Sequence, residues 1–155
     1  MALKCEHCQI AFFDRLLAQR SFMDDNIPHV VGFCCQNAII DDPTLKAAER
    51  LDYEPEVRVV FVPCSSKVET LSIIKAFEAG AEGVFVFGCD GTHCRMTDGN
   101  KRAQRTVNYA KSLLTQAGID EARLSMFTIE SGEWKNFREA AGHMAQRIAS
   151  LPQGQ

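Results

Sequence analysis

The sequence predicts an α/β domain in which helices flank a four-stranded parallel sheet in a single-domain, three-layer fold. Two observations carry that expectation. Four short runs rich in β-branched and aromatic residues punctuate the chain, and segments of helical periodicity lie between them. Strand–helix alternation of this kind buries both faces of a parallel sheet, with right-handed crossovers joining the strands. At 155 residues the chain suits one domain, large enough to bury most of what its unfolded form exposes.

The runs place strands at His29–Phe33, Val57–Val62, Gly83–Phe87 and Leu124–Ile129. Asp42-Pro43 opens the first helix of the domain, with aspartate as N-cap and proline at the first helical position. Ser66-Lys-Val-Glu69 has capping-box spacing and predicts a helix from Ser66 through Phe77, stopped by Gly80. From about Asn100 to Gln116, Ala103, Val107, Ala110 and Leu114 share one face, and Gly118 closes the helix. A last helix from about Ser131 carries Trp134, Phe137, Ala141, Met144 and Ile148 as its apolar stripe. Residues 1–28 are expected to form an N-terminal helical extension around Phe12–Leu17 that holds Cys5-x-x-Cys8. Residues 29–150 form the α/β domain, and 151–155 are a tail.

Composition narrows the function. Apolar content of 46% and charged content of 24% are ordinary for a globular chain, and a net charge of −3 does not suit a nucleic-acid binder. No apolar run approaches the roughly 18–20 residues that cross a bilayer. The N-terminus is charged too early to act as a secretory signal, so a cytoplasmic protein is expected. Seven cysteines stand out: Cys5, Cys8, Cys34, Cys35, Cys64, Cys89 and Cys94. In a reducing compartment such density points to metal or redox chemistry, although a single cysteine is often only a small buried hydrophobe.

Five of these thiols follow three predicted strands. Cys34 and Cys35 come after the first, Cys64 after the second, Cys89 after the third, and Cys94 in the loop beyond. Ligands of open α/β sheets sit outside the carboxyl ends of the strands, so the five share one edge if the strands are neighbours. Thiolate-only ligation suits zinc or an iron–sulfur cluster, and spacing alone leaves both open. The surroundings suit an anionic cluster. Lys67 and Arg95 lie beside cysteines, the helix begun by Ser66 points its N–H groups at Cys64, and Gly88, Gly91 and Gly99 permit close backbone approach. Cys5-x-x-Cys8 supplies half a metal site or a dithiol pair, with His7 and His29 as possible completions. Two incidental cysteines are an equally good account.

The segments VVGFCC, VRVVFVPCSSKVE, IIKAFEAGAEGVFVFGCDGTHC and DGNKRAQR resemble the delta subunit of methyl-viologen-reducing hydrogenase, over about residues 30–148. The order and spacing of Cys35, Cys64, Cys89 and Cys94 agree with that family. The resemblance implies a non-catalytic carrier of a [2Fe–2S] cluster held by these four, with Cys34 as a fifth candidate. It also implies electron relay between a hydrogenase or formate dehydrogenase and a flavoprotein subunit of the heterodisulfide reductase type. Ser66, Lys67 and Arg95 would balance the cluster's charge. One position departs: where the family has a second cysteine three residues after Cys35, this chain has Ala38. A cluster-free docking subunit of the same complex is therefore an alternative. A further one comes from Cys89-Asp-Gly-Thr-His-Cys-Arg95, which resembles the phosphate loop of low-molecular-weight phosphatases and arsenate reductases. His93 within that loop is a possible partner for cluster sulfur.

Overall fold

The structure, a computed structural model, describes residues 30–38, 57–92, 94–129 and 134–152. Its strands are β1 (Val30–Cys35), β2 (Val57–Val62), β3 (Gly83–Cys89) and β4 (Leu124–Ile129). Its helices are α1 (Thr70–Glu78), α2 (Gly99–Gln116) and α3 (Trp134–Ser150). The four strands form one sheet in the order β2-β1-β3-β4, and every pairing is parallel. Composition explains which strands are central: β1 and β3 are buried at every residue, whereas β2 leaves Arg58, Val59 and Phe61 half-buried, as an edge strand does.

Each face of the sheet has its own core. On one, Val31, Phe33, Val60, Val84 and Val86 pack against Ile73 and Ala76 of α1 and Val107, Ala110 and Leu114 of α2. On the other, Val30, Cys34, Phe85 and Phe87 meet Ala141, Met144 and Ile148 of α3. The apolar stripes expected from the sequence on α2 and α3 are thus the buried ones, although the side chains of Trp134 and Phe137 lie outside the described residues. Phe85 and Phe87 meet edge to face at 4.9 Å. Burying rings of this size stabilises the fold by about 1.5–3 kcal/mol each. Gly32 makes room for Phe85, whose ring occupies the space a β-carbon would need.

Both α1 and α2 end in the same motif. Ala81 N–H donates to the Ala76 carbonyl and Gly80 N–H to that of Phe77; Ile119 and Gly118 do the same to Leu114 and Thr115. Gly80 (φ 98) and Gly118 (φ 80) supply the left-handed residue this requires.

Three local expectations are corrected. β1 and β3 run two residues further than predicted, because ladder pairing continues through Cys34↔Phe61, Cys35↔Val62, Gly88↔Thr128 and Cys89↔Ile129. Cys34, Cys35 and Cys89 are therefore strand residues. The helix expected from Ser66 begins instead at Thr70. Residues Ser65–Lys67 make a 3-10 turn, closed by Lys67 N–H to the Cys64 carbonyl at 2.9 Å, and Val68 (ψ 116) breaks it before the helix starts. The expected Asp42-Pro43 helix, the N-terminal extension and the start of the last helix near Ser131 lie outside the described residues. No helix among the described residues is long and apolar enough to cross a membrane.

Candidate metal centre

A sheet ordered β2-β1-β3-β4 reverses direction at β1. The chain leaves β1 for a neighbour on one side, then returns to lay β3 on the other. In such sheets the loops diverge at this switch point and leave a crevice beyond the carboxyl ends of the two central strands. Cys35 is the last residue of β1 and Cys89 the last of β3. Their sulfurs stand 3.9 Å apart. Two thiolates on one tetrahedral ion, each about 2.3 Å from it, stand about 3.8 Å apart, so the spacing is that of a chelating pair.

Two further thiols gather beside this pair, around Gly99. Cys64 follows β2 and is buried, and Cys94 in the loop after β3 is partly exposed. Both sulfurs pack on Gly99, the first residue of α2: a β-carbon there would lie 2.7 Å from Cys64 Sγ and 3.2 Å from Cys94 Sγ. The close approach that Gly99 was expected to allow is thus made to sulfur. Ser66 Oγ, freed from capping a helix, donates to Cys64 Sγ at 3.2 Å. The helix end that meets the sulfurs is that of α2, not the one expected after Ser66. Nothing in the sequence singled out Thr97, yet it holds φ 55 between Cys94 and Gly99, a region β-branched residues rarely enter. Its N–H donates to the Cys94 carbonyl at 3.1 Å, which closes the turn.

Electrostatics ties the thiols together. Burial first, then the neighbouring Cys35 by charge and by hydrogen bond, then Cys94 and Cys64, push the Cys89 thiol up from 9.0 to about 12. A thiol raised in this way holds its proton at neutral pH unless a cation draws it off. Among the described residues no three Cys, His, Asp or Glu side chains surround a single ion-sized point. The sulfurs present one pair at chelating distance, Cys35 and Cys89, with Cys64 and Cys94 gathered on Gly99 nearby. With an all-thiol donor set, a hydroxyl hydrogen bond to sulfur and a glycine cradle, these residues fit an iron–sulfur cluster.

Other candidates are placed elsewhere. Cys34 is fully buried on the α3 face, its S–H directed to the Cys35 carbonyl at 3.8 Å, and burial drives its thiol far above the usual range. Lys67 and Arg95 project into solvent around the site. Ala38 is buried in the cluster that contains Cys35 and Cys89, so the position where the family has a thiol adjoins this pair. The phosphatase-like reading fails on Cys89, since a nucleophilic cysteine needs a lowered pKa and access, and this one is 2% exposed with its pKa raised. Cys5, His7, Cys8, His29 and His93 lie outside the described residues.

Residues 30–152 match the family described as methyl-viologen-reducing hydrogenase, delta subunit. The chain belongs to that family. Among similar delta-subunit relatives, the iron-sulfur subunit of the vhc F420-non-reducing hydrogenase of Methanococcus voltae is 32% identical over 124 residues, covering 80% of this chain and 86% of its own. The corresponding iron-sulfur subunit of the vhu F420-non-reducing hydrogenase of Methanopyrus kandleri is 35% identical over 122 residues, covering 79% and 92%. The delta-subunit sequence also aligns, at 29% identity over 124 residues, with 16% of a ferredoxin:CoB-CoM heterodisulfide reductase polypeptide of Methanosarcina mazei.

Proposed function

We propose that this chain is a cytoplasmic electron-transfer subunit that holds a [2Fe–2S] cluster through Cys35, Cys64, Cys89 and Cys94. The observation that carries the reading is the 3.9 Å sulfur pair at the switch point with two more thiols gathered on Gly99 beside it. A [2Fe–2S] cluster has two irons, takes four cysteines, two to each iron, and when bound supplies one-electron redox chemistry. The chain's own residues do the rest. Burial of Cys35, Cys64 and Cys89 keeps water from the sulfurs, and the Ser66 hydroxyl and the N-terminal end of α2 favour negative charge on Cys64 and Cys94. Lys67 and Arg95 add positive charge from solvent, where it is largely screened.

The partners proposed are a hydrogenase or formate dehydrogenase subunit on one side and a heterodisulfide-reductase-type flavoprotein on the other. In the Methanosarcina mazei relative, a stretch similar to this chain is part of the heterodisulfide reductase polypeptide itself. A domain covalent to that polypeptide in one protein is a natural neighbour of it where the two are separate. Joining would only raise their effective concentration.

Ala38 favours one second reading, a cluster-free docking subunit of the same complex. Anaerobic purification with iron and acid-labile sulfide assays, followed by EPR after dithionite reduction, decides between them. Two irons and two sulfides per chain with a reduced-state signal are expected. A chain still iron-free after anaerobic reconstitution sinks the cluster and leaves docking; one zinc per chain sinks the cluster and makes the site structural.

A further inference from the structure

The exposed side of α2 carries charge that the helix itself does not call for. Its sequence contains Lys101, Arg102, Arg105 and Lys111 and no acidic residue, in a chain whose net charge is −3. Lys101, Arg105 and Tyr109 are spaced four apart and form one stripe. All three are exposed, Tyr109 by 60%, and Met96 just before the helix is exposed by 59%. Local stability opposes this arrangement. Lys101 and Arg102 sit in the first turn, where the helix dipole disfavours cations, and Lys101 and Arg105 repel each other across one turn. The Asp98–Lys101 ion pair at 3.4 Å is exposed at both ends, and such pairs contribute little. The turn holding Lys67 packs against α2, and Arg95 precedes Met96, so the positive region continues round the start of the helix.

We propose that this face, from Arg95 and Met96 along Lys101, Arg105 and Tyr109, is the docking surface for an acidic protein partner. Arginine, tyrosine and methionine are enriched where protein interfaces are buried. The opposed charge would come from carboxylates on the partner. A nucleic acid suits the surface less well, because the remainder of this acidic chain repels phosphates. Arg95 and Met96, at one end of this surface, follow Cys94 directly in the chain, so a partner seated here reaches the loop that holds the partly exposed thiol. The identity of the partner rests on the relay reading above; the surface does not.

The test takes the full chain and the heterodisulfide-reductase-type flavoprotein from the same source. Carbodiimide cross-linking at low salt, read by mass spectrometry, is expected to join Lys101 to an Asp or Glu of the flavoprotein. The Lys101→Glu/Arg105→Glu variant is expected to keep its circular dichroism and iron content while losing about tenfold or more in affinity, with the wild-type affinity falling as salt rises. Undiminished binding by the folded variant overturns the proposal, as does equally tight binding of the wild type to a short DNA duplex. An iron-free wild type whose binding is still lost on charge reversal overturns the relay and leaves the docking surface standing.

Discussion

Cys64 lies so close against the first residue of α2 that a methyl group on Gly99 would come within 2.7 Å of its sulfur. That contact sets two effects of a Gly99→Ala change against each other. Alanine is the better helix former by up to about 1 kcal/mol, whereas overpacking a filled site costs about 1–3 kcal/mol. Crowding wins: urea unfolding of the metal-free variant should show a lower midpoint than wild type, and reconstitution should yield less iron. A midpoint at or above the wild-type value would show that the thiol moves aside without cost.

Serine replacements separate the thiols by role. Cys35→Ser, Cys64→Ser, Cys89→Ser and Cys94→Ser should each lower bound iron and labile sulfide. Cys34→Ser should leave iron content unchanged yet destabilise the chain by about 1–3 kcal/mol, because a hydroxyl replaces a thiol in an apolar core without a good partner. Loss of iron in the Cys34 variant alone would redraw the ligand set.

The Ser66 hydroxyl donates to Cys64 Sγ, and donors to sulfur favour the reduced, more negative form of a cluster. Ser66→Ala should therefore move the midpoint potential to a lower value at unchanged iron content. An EPR-monitored redox titration reads the shift directly, and an unchanged potential would mean that this hydrogen bond does not tune the site.

Stability of the metal-free chain should depend on alkaline pH. Cys89 is protonated in both folded and unfolded chains below its ordinary 9.0. Above that value the unfolded chain releases the proton, while the folded chain holds it to about 12. Folding is thus disfavoured progressively as pH rises from 9.0 towards 12, and undisturbed below that window. Urea midpoints measured across it should fall, and Cys89→Ala should flatten the slope.

Thr97 provides a prediction of opposite sign. Its backbone sits at φ 55, where glycine is at ease and a β-branched residue is not. Thr97→Gly should relieve about 1 kcal/mol of strain, set against the greater freedom glycine gives the unfolded chain. A small net gain in unfolding midpoint is expected. A loss of about 1 kcal/mol or more would mean that the Thr97 side chain itself holds the turn.

Much of this architecture is legible in residue order, and the exceptions have physical causes. VVGFCC and GVFVFGC read as strands because fully buried parallel strands are continuous apolar runs, but their ends do not, since cysteine and glycine carry little strand preference. Ser66 and Glu69 have the spacing of a capping box, yet the Ser66 hydroxyl bonds to a sulfur two residues back and Val68 stays extended. Local pattern cannot register such a contact. Nor can it fix strand order: that β3 pairs with β1 and not with β2 depends on which edge a crossover returns to, a choice made by packing of the whole sheet. The gathering of Cys35, Cys64, Cys89 and Cys94 was readable; that Cys34 turns into the core and that Cys35 pairs with Cys89 were not, because they hang on that order.

The strand order also has a consequence for biosynthesis. Cys35 and Cys89 are 54 residues apart, and they meet only after β3 has been inserted beside β1. Cys64 and Cys94 gather on Gly99, in the first turn of α2. A nascent chain that has emerged only as far as Cys64 therefore offers no preformed site, however much of β1 and β2 has paired. Long-range contacts of this kind form late. On the proposed cluster reading, loading therefore waits on β3 and the first turn of α2, so chains truncated before Cys89 should leave the ribosome without metal.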